Sequence, residues 1–329
     1  MTRHQRMIVV MAASLALLVC MAGLTLGSTL LSPLEVIAEL FGLGDGENAY
    51  IVMTLRLPRV LLSFLAGAAL GIAGLILQSV IRNPLASPDI IGITNGAAVA
   101  ATLYTALLMG KWGVAGLPFA AMLGAGTVSL LIYLLSWNKG VTPIRLVLIG
   151  IGMAAAAGAV TTMMTVLSPT MVASQAYIWM IGTVYAANYA EVGAMLVVIG
   201  VLVPLTLILT RPAHVQELGD DVATSLGDAV QRHRTLFIVI SVALAGSAVA
   251  YAGTIGFVGL VAPHIARTLI GRSFYLLVPV AGLLGGFLVC AADVIGRTLF
   301  LPYDMPAGIF TAAIGAPFFI YLLYRNRNL

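Results

Sequence analysis

Charge is what this 329-residue sequence has least of: Asp, Glu, Lys and Arg together supply 9% of it, against about a quarter in an ordinary soluble domain. So few charges cannot coat a water-soluble globule, which excludes a soluble enzyme, a disordered tail protein and, despite a net charge of +4, a nucleic-acid reader. Cysteine is nearly absent. Cys20 and Cys290 each stand alone in an apolar run, which excludes a disulfide framework and a Cys-x-x-Cys metal site and leaves two small hydrophobes. The four histidines, His4, His214, His233 and His264, show no ligand spacing, so no metal is assigned. Phosphate-loop chemistry is missing too, because Gly110-Lys111 has neither the upstream glycine nor the following hydroxyl. The chain therefore binds no nucleotide through a loop of its own, and no cofactor is expected.

What it has in excess is apolar sequence, 61% of its residues. At about 20 residues per span that suffices for about ten spans and little else. Runs bounded by turn residues or charges fall at about 7–27, 59–80, 91–109, 115–136, 144–167, 191–210, 235–252, 256–270, 276–297 and 306–324. The expectation is an all-α integral membrane protein of about ten transmembrane helices, both termini on one side. The short, glycine-rich eighth run is the weakest. Met7–Leu26 exceeds the about 7–15 apolar residues of a signal sequence and no small-x-small site follows, so it is read as a retained first span.

Basic residues orient the array. With the amino terminus inside, the inner segments hold twelve: Arg3, Arg6, Arg82, Lys139, Arg145, Arg211, Arg232, Arg234, Arg267, Arg272, Arg325 and Arg327. The outer segments hold four, Arg56, Arg59, Lys111 and Arg297. That asymmetry places both termini in the cytoplasm. The chain reads as one transmembrane domain over 1–329, with an inner segment at 211–234, outer segments at 28–58 and 168–190, and no convincing internal repeat.

Ion-driven carriers place ionisable groups in mid-membrane. Here Asp89, Glu191, Asp293 and Asp304 fall at or near span ends, and the mid-span polar groups are Gln78, Asn95, Ser129 and Ser241. If a solute is moved, its energy comes from elsewhere. One source is the inner segment, where Leu218, Val222 and Leu226 recur at i, i+4 and i+8 with Ala223 beside them; Asp220 and Asp221 favour a helix starting after Gly219, and Gly227 can stop it. Such a helix either lies on its own membrane face or is gripped by a cytoplasmic partner. Against the inside bias, Arg56, Arg59 and Arg297 read either as snorkelling to headgroups or as a docking patch for acidic groups of an extracytoplasmic partner. The Gly67/Gly71, Gly92/Gly96 and Gly253/Gly256/Gly259 steps allow close helix approach. The fifth span, small almost all round with Gly158, Thr161, Thr162 and Thr165, either packs on every side or lines a space.

Several segments together resemble the FecCD-type permeases of ABC importers. They are Arg56-Leu-Pro-Arg59 with Gly67-Ala-Ala-Leu-Gly71, Asn83-Pro-Leu-Ala-Ser-Pro-Asp-Ile-Ile-Gly92, Leu218-Gly…Leu226-Gly227, Gly256-Phe-Val-Gly-Leu-Val-Ala-Pro-His264-Ile-Ala-Arg267 and Pro306-Ala-Gly-Ile-Phe-Thr311…Ile314-Gly-Ala-Pro317. The likeness runs from about residue 50 to the carboxyl terminus. It implies a subunit of the bacterial inner or plasma membrane that pairs with an identical or related permease subunit. Two ATPase subunits would sit below the pair and a substrate-binding protein would dock above. The cargo would be an iron(III)–siderophore complex, with haem or cobalamin as alternatives. The resemblance also implies roles: Arg56, Arg59 and Arg297 as docking arginines; Leu218, Gly219, Ala223, Leu226 and Gly227 as the coupling helices seated in the ATPase; Asn83, Leu85 and Thr142 as cytoplasmic gates; the fifth span as pathway lining. His214-Val-Gln-Glu217 departs from the leucine-rich approach of many relatives, so contact with the ATPase is particular to its own partner. The rival readings are a stand-alone secondary carrier or channel, and a membrane scaffold.

Overall fold

The computed structural model describes residues 2–325, so Arg327 of the inner-charge count lies outside the described residues. Ten apolar helices run in chain order: α1 Arg3–Thr25, α2 Leu57–Ile81, α3 Ile93–Leu107, α4 Leu117–Ser136, α5 Pro143–Leu167, α6 Tyr189–Ile208, α7 Val230–Ala252, α8 Val258–Ile270, α9 Phe274–Thr298 and α10 Ala307–Arg325. Eight of these segments are long and apolar enough to cross a membrane; α3 and α8 are shorter. The weakness of the eighth run thus has a physical basis. Thirteen residues rise only about 20 Å, short of the about 30 Å of hydrocarbon.

The backbone around the short helices is irregular, yet its polar groups find partners inside the protein, the condition for non-helical chain at membrane depth. Before α8, Thr254 donates its hydroxyl to the Met180 carbonyl. Met180 belongs to an outer helix, Thr170–Ile181, which also meets the start of α10 where the Gly308 amide donates to Gly182. Before α3, the turn Pro88–Ile91 lays the Ile90 carbonyl against Gly150, two turns into α5.

Sequence and structure differ at the start of the second span. It begins at Tyr50, not 59: Tyr50–Arg56 is a wide π-turn continuous with α2. Pro58 has no N–H to donate to the preceding turn, and a widened turn is how a helix absorbs that loss. The outer segment 28–58 therefore loses its last residues to the membrane helix and holds a short helix, Pro33–Leu40, capped by Ser32 and Glu35.

Packing is centred on α2. In its most apolar window 89% of residues are buried, against 17% in α6 and 22% in α5. Glycines make this possible. A Cβ on Gly67 would meet the Gly285 carbonyl of α9 at 2.2 Å, and one on Gly74 would meet the Gly259 carbonyl of α8 at 1.8 Å. Dispersion over such close backbone contact replaces the hydrophobic drive that lipid cannot supply. Cys20 packs on the cluster around Cys290, so the two lone cysteines come together, both free.

Candidate functional site

Three places hold the polar side chains that an apolar chain of this kind can least easily bury. At the outer end, Arg56, Arg59 and Arg297 are 5–8% exposed. They do not form a solvent-facing patch. Arg59 donates to Asp293 on α9 through Nε and Nη2 (2.9 and 2.7 Å), and through Nη1 and Nη2 to Asp304 (2.6 and 2.8 Å). Its guanidinium lies 5.7 Å from the Tyr185 ring centroid. Arg297, one helical turn after Asp293, approaches that carboxylate at 3.6 Å and donates to the Gly23 carbonyl. Arg56 donates to the Leu24 and Thr25 carbonyls at 2.7 and 3.0 Å and to Thr29 at 2.6 Å. The arginines thus cap the last carbonyls of α1, where helix dipole and orphan acceptors favour cations, and Arg59 fastens α2 to α9. Burial follows from arithmetic: five charged groups share one site, and each guanidinium finds fixed acceptors there. Asp304 is the most open member, its side chain 31% exposed.

At the inner end, segment 211–234 folds as two short helices, Thr210–Gln216 and Asp220–Ser225, before α7. The second starts after Gly219 (φ 109°), and the chain turns at Gly227 (φ 83°), as the sequence predicts. Its apolar row does not lie on the protein's own membrane face. Leu218, Val222 and Leu226 are 62%, 47% and 64% exposed, while Ala223 is fully buried. The helix is seated by its small residue and by charge, and it presents its leucines outward. His214 accepts from the first amide of α9, Phe274 N, through Nε2 at 3.0 Å, and its Nδ1 faces the Thr210 carbonyl. Glu217 accepts from Arg267 at 3.2 Å, and Arg267 also donates to Ser79 at 2.9 Å. Asp220 receives Arg82 at 2.6 Å and Arg234 at 2.7 Å.

Burial by itself would raise the Asp220 carboxyl. The hydrogen bond and charge of Arg234, with those of Arg82, outweigh burial and hold it below its ordinary 3.8. A carboxyl lowered on folding contributes stability above its unfolded value and loses it as pH falls through the folded one. Amide protection over 216–230, the exchange rate relative to the intrinsic rate at the same pH, is therefore expected to hold at neutral pH and to fall only below about pH 3.8. Asp220→Asn should abolish that acid step. An acid step unchanged in the variant would show that another group carries it.

The third place is an open groove along the fifth span. A cavity of about 290 Å³ opens between α3, α5 and the outer helix, lined by Asn95, Gly158, Thr161, Thr162, Thr165 and Thr254. Within this chain α5 buries Leu146, Gly150, Ala157, Thr161 and Thr165 and leaves its other faces open, to a pathway or to a neighbouring subunit. Thr161 and Thr165 return their hydroxyls to helix carbonyls four residues back, so the wall is polar yet satisfied. Near the inner face Asn83 is exposed and accepts from the Leu85 amide at 2.9 Å, while Leu85 is half-buried against α8 and α10. Thr142 is half-buried and caps the start of α5 by backbone only. Neither gate segment touches the 290 Å³ cavity. A second cavity, about 430 Å³, lies at the inner face among Gln78, Arg82, Asn83, Glu217 and Arg267.

Sequence reasoning missed the pairings. Asp293 and Asp304 stood out only as charges near span ends, 234 and 245 positions from Arg59. The available signal was sign balance, since three outer arginines face two acids, and Asp293 and Arg297 are spaced i, i+4. Arg234, only 2% exposed, was counted as one more inner charge. Among the described residues no group of three or more His, Cys, Asp or Glu could hold a metal ion.

Among the described residues, ten apolar helices, a hydroxyl-lined groove on one side of them and an outward-facing apolar knob at the inner end define a multi-pass membrane protein of transport type. The chain belongs to the FecCD transport family, whose model matches residues 15–325. It is 45% identical over 98% of its length to the probable siderophore transport system permease protein YfhA of Bacillus subtilis (strain 168), covering 94% of that protein. It is 48% identical to the achromobactin transport system permease protein CbrC of Dickeya dadantii (strain 3937), covering 97% of this chain and 91% of the relative. The fold superposes with TM-score 0.84 and 27% identity on a metal-chelate type ABC transporter solved in an inward-facing conformation, over 97% of this chain and 99% of that one. The chain is a transport permease.

Proposed function

We propose that the chain is the membrane-spanning permease subunit of an ATP-driven importer of iron(III)–siderophore complexes. The carrying observation is its likeness, over nearly the whole length, to permeases named for siderophore and achromobactin transport. In this reading two permease subunits, identical or related, enclose the pathway. Gly158, Thr161, Thr162 and Thr165 line it, and Asn83, Leu85 and Thr142 close it on the cytoplasmic side. A chelated iron needs no ligand from the protein, and a wall of small hydroxyls suits a large polar cargo. ATP is hydrolysed by separate cytoplasmic subunits that grip Leu218 and Leu226, with Gly219, Ala223 and Gly227 shaping the knob. A binding protein delivers cargo at the outer rim over Arg56, Arg59 and Arg297. Because Asp304 already occupies the outer side of Arg59, an acidic group on that protein would take Asp304's place.

The test is reconstitution of this chain with its ATPase and binding protein. ATP-dependent uptake of a ferric siderophore is expected, with haem and cobalamin as comparison cargoes. Uptake by this chain alone on an ion gradient would overturn the reading. A narrower expectation concerns the knob. Leu218→Asp with Leu226→Asp should leave stability within about 0.5 kcal/mol, because both side chains already face water, while co-purification with the ATPase is lost. Retained co-purification would place the grip elsewhere.

A further inference from the structure

Asp220, the first residue of the helix Asp220–Ser225, sits where three segments meet. Its Oδ1 accepts Arg82 Nη2 at 2.6 Å and Arg234 Nη2 at 2.7 Å. Arg82 is the last residue before Asn83 and ends α2 in the left-handed conformation (φ 55°). Arg234, on α7, turns its other terminal nitrogen, Nη1, to the Val141 carbonyl at 2.7 Å. Val141 immediately precedes Thr142. Gln231, one turn before Arg234, holds the same residue from the other side: its Oε1 accepts the Val141 amide at 3.0 Å. One carboxylate oxygen thus ties the inner helix to both segments assigned above as cytoplasmic gates, directly on one side and through one arginine on the other.

The two branches differ in stiffness. Arg234 is 2% exposed and Val141 1%, so water cannot stand in for that link, and charge-assisted hydrogen bonds are the strong ones in such surroundings. The Arg82 branch is open, its side chain 32% exposed. Just before Asp220, Gly219 holds φ 109°, a backbone conformation that favours glycine, the residue with the fewest backbone restraints, at the joint between the two short helices. Ala223 seats the helix while the leucine row faces outward. A push on that row therefore reaches the gates through Asp220.

We infer that Asp220 is the positioning residue that transmits motion of the outward-facing inner helix to the Asn83–Leu85 and Thr142 segments together, through Arg82 and through the Arg234–Val141 contact. This rests on the reading of the chain as the permease of an ATP-driven importer. Neither arginine nor carboxylate touches cargo. Their removal should change how much transport each hydrolysed ATP produces, not whether cargo is recognised.

The experiment uses the full complex in proteoliposomes, loaded binding protein outside, and reads ferric-siderophore uptake and ATP hydrolysis in the same vesicles. ATP-dependent uptake by the wild type is the control; its failure would sink the importer reading and the inference with it, whereas a failure confined to the variants' expected effect sinks the inference alone. With Asp220→Asn, the assembled complex is expected to keep hydrolysing ATP while uptake per ATP falls on the order of tenfold, within the range of coupling energies between sites. Arg234→Gln on top of Asp220→Asn should add little, since both sever one path. Arg82→Gln cuts only the open branch and should give a smaller fall. If Asp220→Asn does not assemble, Arg82→Gln decides, because it spares the buried link. Uptake per ATP within about twofold of wild type in the deciding variant would overturn the inference, and so would failure of both variants to assemble, which would make the carboxylate an assembly element.

Discussion

Replacing Arg59 by methionine is expected to cost about 3–5 kcal/mol of stability, the range for breaking one partner out of a buried ion pair. Asp293 is 1% exposed, and without Arg59 its nearest cation is Arg297 at 3.6 Å. A carboxylate left so nearly alone in apolar surroundings must either take up a proton or draw in water. Asp304 suffers less, because at 31% exposure its side chain can turn to solvent. The pair as a whole need not be stabilising. Arg59→Met with Asp293→Leu should therefore recover much of the loss, since a hydrophobic replacement of a buried pair is often neutral. The recovery stays incomplete because Arg297 then keeps only the Gly23 carbonyl. Thermal unfolding of the purified subunit measures all three proteins. A single variant within about 1 kcal/mol of wild type would show that the network bears no structural weight.

This result separates two roles that sequence alone cannot. Docking arginines would lose a partner protein on substitution and leave the subunit intact. Arginines that hold α1, α2 and α9 together lose the subunit first. Asp304→Asn distinguishes them without breaking the core: it frees one side of Arg59 but leaves Asp293 in place. If the binding protein competes for that side, its affinity should rise in Asp304→Asn.

How much of this was legible in the sequence depends on the range of the interaction. The ten apolar runs, the helix start after Gly219 and the turn at Gly227 are local, set by periodicity, composition and backbone conformation, and they stand where the sequence puts them. Boundaries moved where an irregular turn lets a helix run on past a residue that would otherwise start it, as the π-turn Tyr50–Arg56 does ahead of Pro58. The direction of the leucine row was not legible. Periodicity groups Leu218, Val222 and Leu226 on one face, but only the buried Ala223 and the arginines on Asp220 decide that the face turns outward. Least legible were the charge pairs. Arg59 with Asp293, Arg267 with Glu217 and Arg234 with Asp220 join segments far apart in the chain or on different elements, and no local pattern records them. From sequence the outer arginines read either as snorkelling to headgroups or as a docking patch; what the sequence does not record is that the end of α1 and two acids of the same chain take their donors.

A large effect of a single methyl group is expected at Gly74. A Cβ there would lie 1.8 Å from the Gly259 carbonyl oxygen, with that residue's carbonyl carbon and Cα at 2.5 and 2.7 Å. Every atom in the way is backbone. Overpacking usually costs about 1–3 kcal/mol because side chains shift to make room, but at Gly74 only movement of a whole helix can do so. Moving α8 away from α2 would also break the seat of Gly259 on Pro88 and Leu70. Gly74→Ala should therefore cost 3 kcal/mol or more by the upper end of that range, seen as a collapse of folded yield. Gly67→Ala, against the Gly285 carbonyl at 2.2 Å, should follow it closely. The control is Gly200 in α6, exposed and with nothing within 4 Å of an added Cβ. There alanine should be neutral or stabilising by up to about 1 kcal/mol, the helix-propensity gain. Were Gly74→Ala to fold as well as Gly200→Ala, the close approach of α2 and α8 would be wrong. The short span of α8, its place beside the turn at Pro88 and the fixed position of α2 would then all need another explanation.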